Sequence, residues 1–176
     1  MKKLFIVFLV LNLMVAAVAA FAGEAAAPTV VNWSEHEADA SKIEGQFGDV
    51  SKTGLKMFVP AEFKDTEIPK EVLDGGTFMV LKSAKEEKAV VKAQFVAVDA
   101  ASFKTKLQSE GKTVWDTVIN GLPCLQFSVD VDGVTTSCFA FATESSAVVV
   151  FSFSLVNQEP YTSLYKVMAS SIQRAE

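Results

Sequence analysis

The sequence predicts an α+β domain built on an antiparallel sheet, and three observations support this fold class. Short segments rich in Val, Phe and Thr recur from Gln46 to Leu155 and are separated by Gly, Pro, Asp or charged residues, which is typical of antiparallel strands. Several of these segments alternate in polarity, and two others carry apolar residues at helical spacing. Together they indicate seven strands and two helices, with apolar sheet faces that need cover on at least one side.

The first 22 residues have the composition of a secretory signal peptide. Lys2 and Lys3 precede an apolar segment, and Ala20-Phe21-Ala22 supplies small residues before Gly23. This pattern predicts cleavage after Ala22 and a periplasmic or secreted bacterial protein. An uncleaved membrane anchor is the alternative, which the small residues at the cleavage site disfavour. We therefore expect no stable membrane insertion after signal cleavage.

Removal of the signal would make the protein more acidic. Residues 1–22 contain two of the 16 basic residues and none of the 21 acidic ones, so the remaining chain carries a formal charge of −7 (14 − 21). A negative charge of this size disfavours nucleic acid and anionic membrane surfaces as partners.

The remaining chain is predicted to contain a leader and one domain. Residues 23–43 are interpreted as a tether or a weakly helical leader, because the first ten are rich in Ala and lack a periodic apolar pattern. Ser34 and Glu37 have the spacing of a capping box, which favours a short helix over about 35–43. Residues 44–176 are predicted to form a single α+β domain with one core.

The strands are predicted in order along this domain. They cover residues 55–59, 78–82, 88–98, 114–119, 124–131, 134–142 and 147–155. Pro60 ends the first strand, because proline has no amide N–H for a sheet ladder. The segment 61–76 is predicted to be a long loop with one helical turn after Pro69. Four residues of the last strand share a face and are expected in the core. They are Val149, Phe151, Phe153 and Leu155.

Two helices are predicted with more definite boundaries. Asp99 is a favourable N-cap for a helix over about 100–110, in which Phe103 and Leu107 lie one turn apart. The last helix is predicted over about 160–173, where five apolar residues follow the helical stripe. They are Tyr161, Leu164, Tyr165, Met168 and Ile172. Such a stripe is typical of core packing rather than of a ligand site.

Candidate catalytic and metal-binding residues are scarce. His36 is the single histidine and lies in the leader, away from any Gly-x-Ser-x-Gly turn, so a histidine-activated nucleophile is not expected. Zinc and iron sites need clustered Cys, His and carboxylate ligands, and phosphate loops need a Gly-x-x-x-x-Gly-Lys pattern. The sequence offers neither pattern, and we expect no enzyme activity, no metal and no cofactor.

The segment from Cys124 to Cys138 contains both cysteines and the sequence Asp130-Val131-Asp132-Gly133. If Gly133 took position six of a calcium loop, position twelve would be Phe139, where a bidentate Glu is needed, so the calcium hypothesis fails. Asp130, Asp132 and Gly133 instead predict a hairpin turn of type I, closed by a left-handed glycine.

The length of this turn decides whether Cys124 and Cys138 can form a disulfide. A two-residue loop at Asp132-Gly133 places the cysteines on opposite faces, where no bond can form. A three-residue bulged turn places them on one face as diagonal neighbours, slightly beyond ordinary disulfide reach. That turn also forms the better core, because it gathers five apolar residues on the other face. They are Leu125, Phe127, Val129, Phe139 and Phe141. An oxidising compartment favours a bond, so both alternatives stay open.

Three segments carry a resemblance to a known family. They are Gly54–Pro60 (GLKMFVP) with Ala61-Glu62-Phe63, Ile119–Pro123 (INGLP) before a hairpin, and Met168–Ile172 (MASSI) in the last helix. In these segments the chain resembles the Mog1/PsbP-like family, and in particular the bacterial periplasmic DcrB-like proteins, over about residues 44–173. The resemblance implies an antiparallel sheet of about six or seven strands flanked by helices, an αβα sandwich, and a role in binding or assembly rather than catalysis.

The resemblance implies no particular partner, because the family includes a photosystem II extrinsic subunit, a Ran-binding protein and chaperones for secretion-system effectors. It carries no catalytic motif, and Asn120 and Gly121 are interpreted as turn formers rather than ligand contacts. We therefore expect an exported, non-catalytic binding or chaperone-like module that holds another exported or envelope protein on a face or an edge of its sheet.

Two alternative functions remain open at this point. One is a small-molecule carrier with an apolar cavity under the 60–76 loop. The other is a thiol-based redox protein that uses Cys124 and Cys138, although their spacing is not that of a Cys-x-x-Cys motif. The sequence identifies no binding residue.

Overall fold

A computed structural model describes residues 28–50 and 53–175, so the predicted signal peptide and its cleavage site lie outside the described residues. The strands are β1 (Thr29–Val31), β2 (Gly45–Val50), β3 (Leu55–Pro60), β4 (Phe63–Asp65), β5 (Thr77–Ser83), β6 (Val90–Val96), β7 (Val114–Ile119), β8 (Leu122–Val131), β9 (Val134–Ala142), β10 (Val148–Ser154) and β11 (Gln173–Arg174). The helices are a 3₁₀ helix (Trp33–Glu35), α1 (Glu37–Ala40), α2 (Lys70–Asp74), α3 (Ala100–Ser109) and α4 (Tyr161–Ser170). No helix in the described part of the chain is both long and apolar enough to cross a membrane.

The strands form two sheets. The main sheet is 8-stranded, in the order β1-β7-β8-β9-β10-β6-β5-β4, and the small sheet has the order β11-β3-β2. All neighbouring pairs are antiparallel except β1 and β7, which are parallel. The α+β class is confirmed, but the main sheet is mixed and the strands outnumber the six or seven predicted.

The strands that the sequence did not predict lack a clear apolar alternation. β4 and β11 are only three and two residues long, and β2 contains Gly45 and Gly48, which weaken any strand signal. β4 and β11 exist because a longer neighbouring strand supplies the hydrogen-bond ladder. β11, for example, pairs with Leu55 and Lys56 of β3, which is why α4 stops at Ser170 instead of continuing to residue 173.

The predicted tether needs a correction from residue 28 onward. Thr29–Val31 pairs with Thr117–Ile119 of β7, so this part of the leader belongs to the main sheet. Ser34 does not cap a helix, because it lies inside the 3₁₀ helix, whose N-cap is Asn32. α1 follows with His36 at its N-cap and no side-chain cap. The leader therefore contains short elements that hold one edge of the sheet.

One face of the main sheet packs against α4 and the small sheet. The residues predicted for the core of β10 are buried there, and Phe151 and Phe153 are among the largest fully buried side chains. Met57 of β3 and Met168 of α4 meet them from the other side. The Phe58 N–H donates to the Ser171 Oγ at 2.7 Å, which joins the small sheet to the end of α4.

The opposite face of the main sheet carries α3. Asp99 caps this helix as predicted, since its carboxylate accepts from the Ser102 N–H at 2.9 Å. Phe103 and Leu107 point into a second buried cluster with residues of β8, β9 and β10. These are Leu125, Phe127, Cys138, Ala140 and Val148. Both faces of the main sheet are thus apolar, but α3 has only ten residues with which to cover its side.

Asn120 joins the beginning and the end of the described chain. It occupies the predicted turn between β7 and β8 with a left-handed φ of 49°, followed by Gly121 at 77°. Its Oδ1 accepts from the Trp33 N–H at 2.6 Å. Its Nδ2 donates to the carbonyl oxygens of Ser170 and Ile172 at 2.7 and 2.8 Å. The carboxamide is thereby fully engaged, and Asn120 does more than form a turn.

We expect Asn120→Ala to lower the free energy of unfolding by about 3 kcal/mol, because three hydrogen bonds are lost and alanine is strained at a positive φ. Urea denaturation measures the change. Asn120→Gly removes the same hydrogen bonds without the strain and is expected to lose about 2 kcal/mol. A loss confined to the alanine variant would show that the hydrogen bonds contribute nothing.

Candidate functional site

The hairpin formed by β8 and β9 has the two-residue loop. Val131 pairs with Val134, so Asp132 and Gly133 alone form the turn, and both have left-handed φ values of 52° and 75°. Two left-handed residues define a type I′ turn, which matches the twist of an antiparallel pair. The predicted hairpin is present, but its turn is neither of type I nor bulged. Asp130 supports it by accepting from the Thr135 hydroxyl at 3.0 Å.

This register places the two cysteines on opposite faces of the main sheet. Cys124 pairs with Phe141 and packs on the side of α4, whereas Cys138 pairs with Phe127 and lies under α3. Both thiols are free and buried, and burial raises the pKa of each to about 12. The candidate disulfide and the redox pair both require the thiols to meet, and the sheet lies between them.

The preference for the bulged turn assumed that only one face of the hairpin is buried. In the structure both faces are covered, so the apolar residues divide between them without loss of burial. Leu125 and Phe127 pack with α3, while Phe139 and Phe141 pack on the side of α4. When both faces of a hairpin are buried, its pattern of apolar residues does not distinguish one register from the other.

A groove remains open on the face that carries α3. It has a volume of about 810 Å³ and is bounded by Phe103 and Lys106 of α3. Its floor consists of four neighbouring strands, β8, β9, β10 and β6. α3 covers the floor near Leu125, Ala140 and Val148, and the groove occupies the remaining part toward the β8–β9 turn.

The floor of the groove combines apolar and polar side chains. On the hairpin, Val129, Val131 and Val134 line it together with Thr136, and Val131 is 54% exposed. On β10 and β6, four polar residues line it among three further valines. The polar residues are Ser152, Ser154, Lys92 and Gln94, and the valines are Val90, Val96 and Val150. The register aligns the two sides across the sheet, since Cys138 of the hairpin pairs with Ser152 and Ser152 pairs with Lys92.

Three lysines give the groove a positive charge on an otherwise acidic protein. Lys88 and Lys92 lie at the β6 side and Lys106 on α3, whereas Asp132 is the only acidic one among the described residues that line the groove. The whole chain has a formal charge of −5. A local excess of lysine beside the exposed Val131 favours a ligand that combines an apolar surface with carboxylate or other anionic groups.

The backbone fixes one hydroxyl of the lining in place. The Ser154 hydroxyl is held by the backbone of β6, since it accepts from the Val90 N–H at 2.8 Å and donates to the Lys88 carbonyl at 2.6 Å. His36, the single histidine of the chain, is not among the lining residues. Within residues 28–50 and 53–175, no three His, Cys, Asp or Glu side chains are grouped to hold a metal.

The polar residues of β6 and β10 are a partial sequence signal of this groove. Lys92 and Gln94 in β6, and Ser152 and Ser154 in β10, interrupt the face on which Val148 is buried. Polar residues at alternate positions mark the end of the covered area. Because strand order cannot be read from the sequence, nothing indicated that these residues lie beside the valines of the hairpin.

We expect neither cysteine to react with iodoacetamide between pH 7 and pH 9, because both thiols are buried and remain protonated. Mass spectrometry should find both labelled only after unfolding in urea, and no Cys124–Cys138 bond after treatment with an oxidant. As a control, Ser128→Cys with Ser137→Cys in a chain lacking the native cysteines should crosslink, because these residues are directly paired. A native bond would overturn the register.

Known proteins share the fold of this chain but little of its sequence. No protein-family model and no curated protein matches it. Among solved structures, cyanobacterial PsbP (CyanoP) from Synechocystis sp. PCC 6803 is similar, with a TM-score of 0.54 and 13% identity over 76% of this chain and 94% of that one. A protein from Bacteroides thetaiotaomicron matches at a TM-score of 0.46 and 9% identity, over 72% of this chain and 48% of that one. The first similarity shows that the described residues adopt a PsbP-like fold.

Proposed function

We propose that this protein is an exported, non-catalytic binding module that holds a helical segment of another exported or envelope protein in the groove beside α3. The observation that carries this proposal is the incomplete cover of the main sheet. α3 shields one part of an apolar face, and in the adjoining part Val131 is exposed and Val129 and Val134 are partly buried, beside three lysines.

The size of the groove suits one helix. From Phe127 to Val131 the floor extends for about 14 Å along the strands, and the three spacings from β8 to β6 span about 14 Å across them. A helix with its side chains is about 10 Å wide, so the floor accommodates a single helix packed beside α3. Such a helix would complete the helical layer that α3 begins.

The chemistry of the groove defines the segment that would fit. An apolar stripe on the segment would bury the three valines of the hairpin, and acidic residues beside the stripe would lie near Lys88, Lys92 and Lys106. This charge arrangement selects against a basic segment. A role in binding agrees with what the sequence resemblance implies, and export agrees with the composition of residues 1–22.

A designed helical peptide of about 14 residues, with leucines on one face and glutamates beside them, should bind in this groove. Its addition to the isotope-labelled domain is expected to shift the amide signals of β8, β9, β10 and β6. The double variant Lys88→Glu, Lys92→Glu should weaken binding by about tenfold or more through charge repulsion. Lys166→Glu, the same exchange at one position on the exposed side of α4, is the control and should bind normally.

Two results would count against a protein-binding groove. Failure of the peptide to shift the groove signals at about 1 mM would mean that the face has no useful affinity for such a segment. Binding of dodecanoate at the same residues, without binding of the peptide, would favour the small-molecule carrier.

Export is tested by the mass of the mature protein. Expression of the full chain in a Gram-negative bacterium should yield a periplasmic protein that begins at Gly23, because the small residues at positions 20 and 22 satisfy signal peptidase. Ala22→Arg should block cleavage and leave the full-length chain in the membrane fraction, whereas Ala25→Arg, beyond the site, should be cleaved normally. A wild-type chain that keeps Met1 and stays in the membrane fraction would instead support the alternative of an uncleaved membrane anchor.

A further inference from the structure

A second concave surface lies between the two sheets. It is a crevice of about 440 Å³, lined by β2 and β3 of the small sheet and by β4 and β5 of the main sheet. Residues 60–65, the first part of the segment predicted as a long loop, form one of its walls. The crevice shares no lining residue with the groove beside α3.

Two terminal strands border this crevice. β2 ends the small sheet and β4 ends the main sheet, so within the described residues each has a ladder partner on one side only. β2 offers six residues, Gly45–Val50, whose outward backbone groups can pair with an added strand. Extended peptides are commonly bound by this kind of addition to a sheet edge.

The floor of the crevice is apolar, and Gly48 leaves space in it because glycine has no side chain. Met57, Phe63 and Leu81 are buried there. Gly48 lies directly opposite Met57 in the β2–β3 ladder. A Cβ added at Gly48 would meet only the Val59 Cγ2 at 3.9 Å, whereas one at Gly45 would lie 2.6 Å from the Val59 carbonyl oxygen. The glycine at position 48 therefore leaves room above Met57 for an incoming side chain.

The rim of the crevice is acidic, in contrast to the groove. Glu44, Asp49 and Asp65 line it, and among the described lining residues Lys64 is the only basic one. Asp49 and Asp65 are exposed. Carboxylates around an apolar floor favour a segment whose apolar side chains are flanked by lysine or arginine.

We propose that the crevice binds an extended segment of a partner protein, with an apolar side chain seated over Met57 at Gly48 and basic side chains beside the acidic rim. The segment pairs with the free edge of β2. This site is independent of the proposed groove, takes a segment of opposite charge and recognises a strand instead of a helix.

The probe is the peptide Lys-Val-Lys-Leu-Lys-Val-Lys, blocked at both ends and labelled for fluorescence anisotropy, with the full mature chain. Gly48→Leu should weaken its binding by about tenfold or more, because the added side chain fills the seat over Met57. The variant is expected to stay folded, since the backbone at Gly48 is not left-handed and the space is open. Gly75→Leu, the same exchange at a glycine outside the crevice whose φ of −76° is not left-handed, is the matched control and should bind normally.

Further measurements separate this site from the groove and from the general acidity of the chain. The double variant Asp49→Lys, Asp65→Lys should also weaken binding of the basic peptide. The matching peptide, with glutamates in place of the lysines, should not bind. The double variant Lys88→Glu, Lys92→Glu should bind the basic peptide as tightly as wild type does. Gly48→Leu should likewise leave binding of the helical groove peptide unchanged. Equal binding of the basic peptide to wild type and Gly48→Leu, or no binding at about 1 mM, would overturn the proposal.

Discussion

The carboxamide of Asn120 is the interaction on which the arrangement of the two sheets depends. From one tight turn it holds the backbone that follows β1 and the backbone that ends α4, two segments that also contribute Trp33 and Val167 to one small hydrophobic cluster. The first segment carries Trp33, whose ring packs on Phe47 and Phe58 of the small sheet. The second leads into β11, which extends the same sheet. A single polar side chain thus links an edge strand of the main sheet to the small sheet.

The two faces of the main sheet are covered to different extents, and this difference determines where binding surfaces can form. On one face α4 and β3 bury Val149, Phe151 and Phe153 completely. On the other face one ten-residue helix covers part of the area. The uncovered part is bordered by lysines, and the crevice where the sheets separate is bordered by carboxylates. Two partners of different charge could therefore be held on separate surfaces of one small domain.

The elements with strong local patterns were predicted from the sequence, and those that depend on distant neighbours were not. The strands 114–119 and 134–142, the capped helix after Asp99 and the core of β10 follow from alternation, spacing and capping. β1 and β11 become strands only because β7 and β3 supply their partners. The two candidate sites could not be predicted for the same reason. The groove is formed by β6 together with β8, and the crevice by β2 together with β4, and local sequence does not encode which strands become neighbours.

The pairing of β1 has a consequence for the order in which the protein folds. Trp33, just after β1, is bonded to a residue 87 positions further along the chain, and that residue in turn holds the backbone near the end of α4. During synthesis the amino-terminal part of a chain emerges first, yet β1 has no partner until β7 has been made. Contacts this distant in sequence are slow to form. The first described strand therefore joins the sheet only after β7 is available, and until then Thr29–Val31 remains open to other strands.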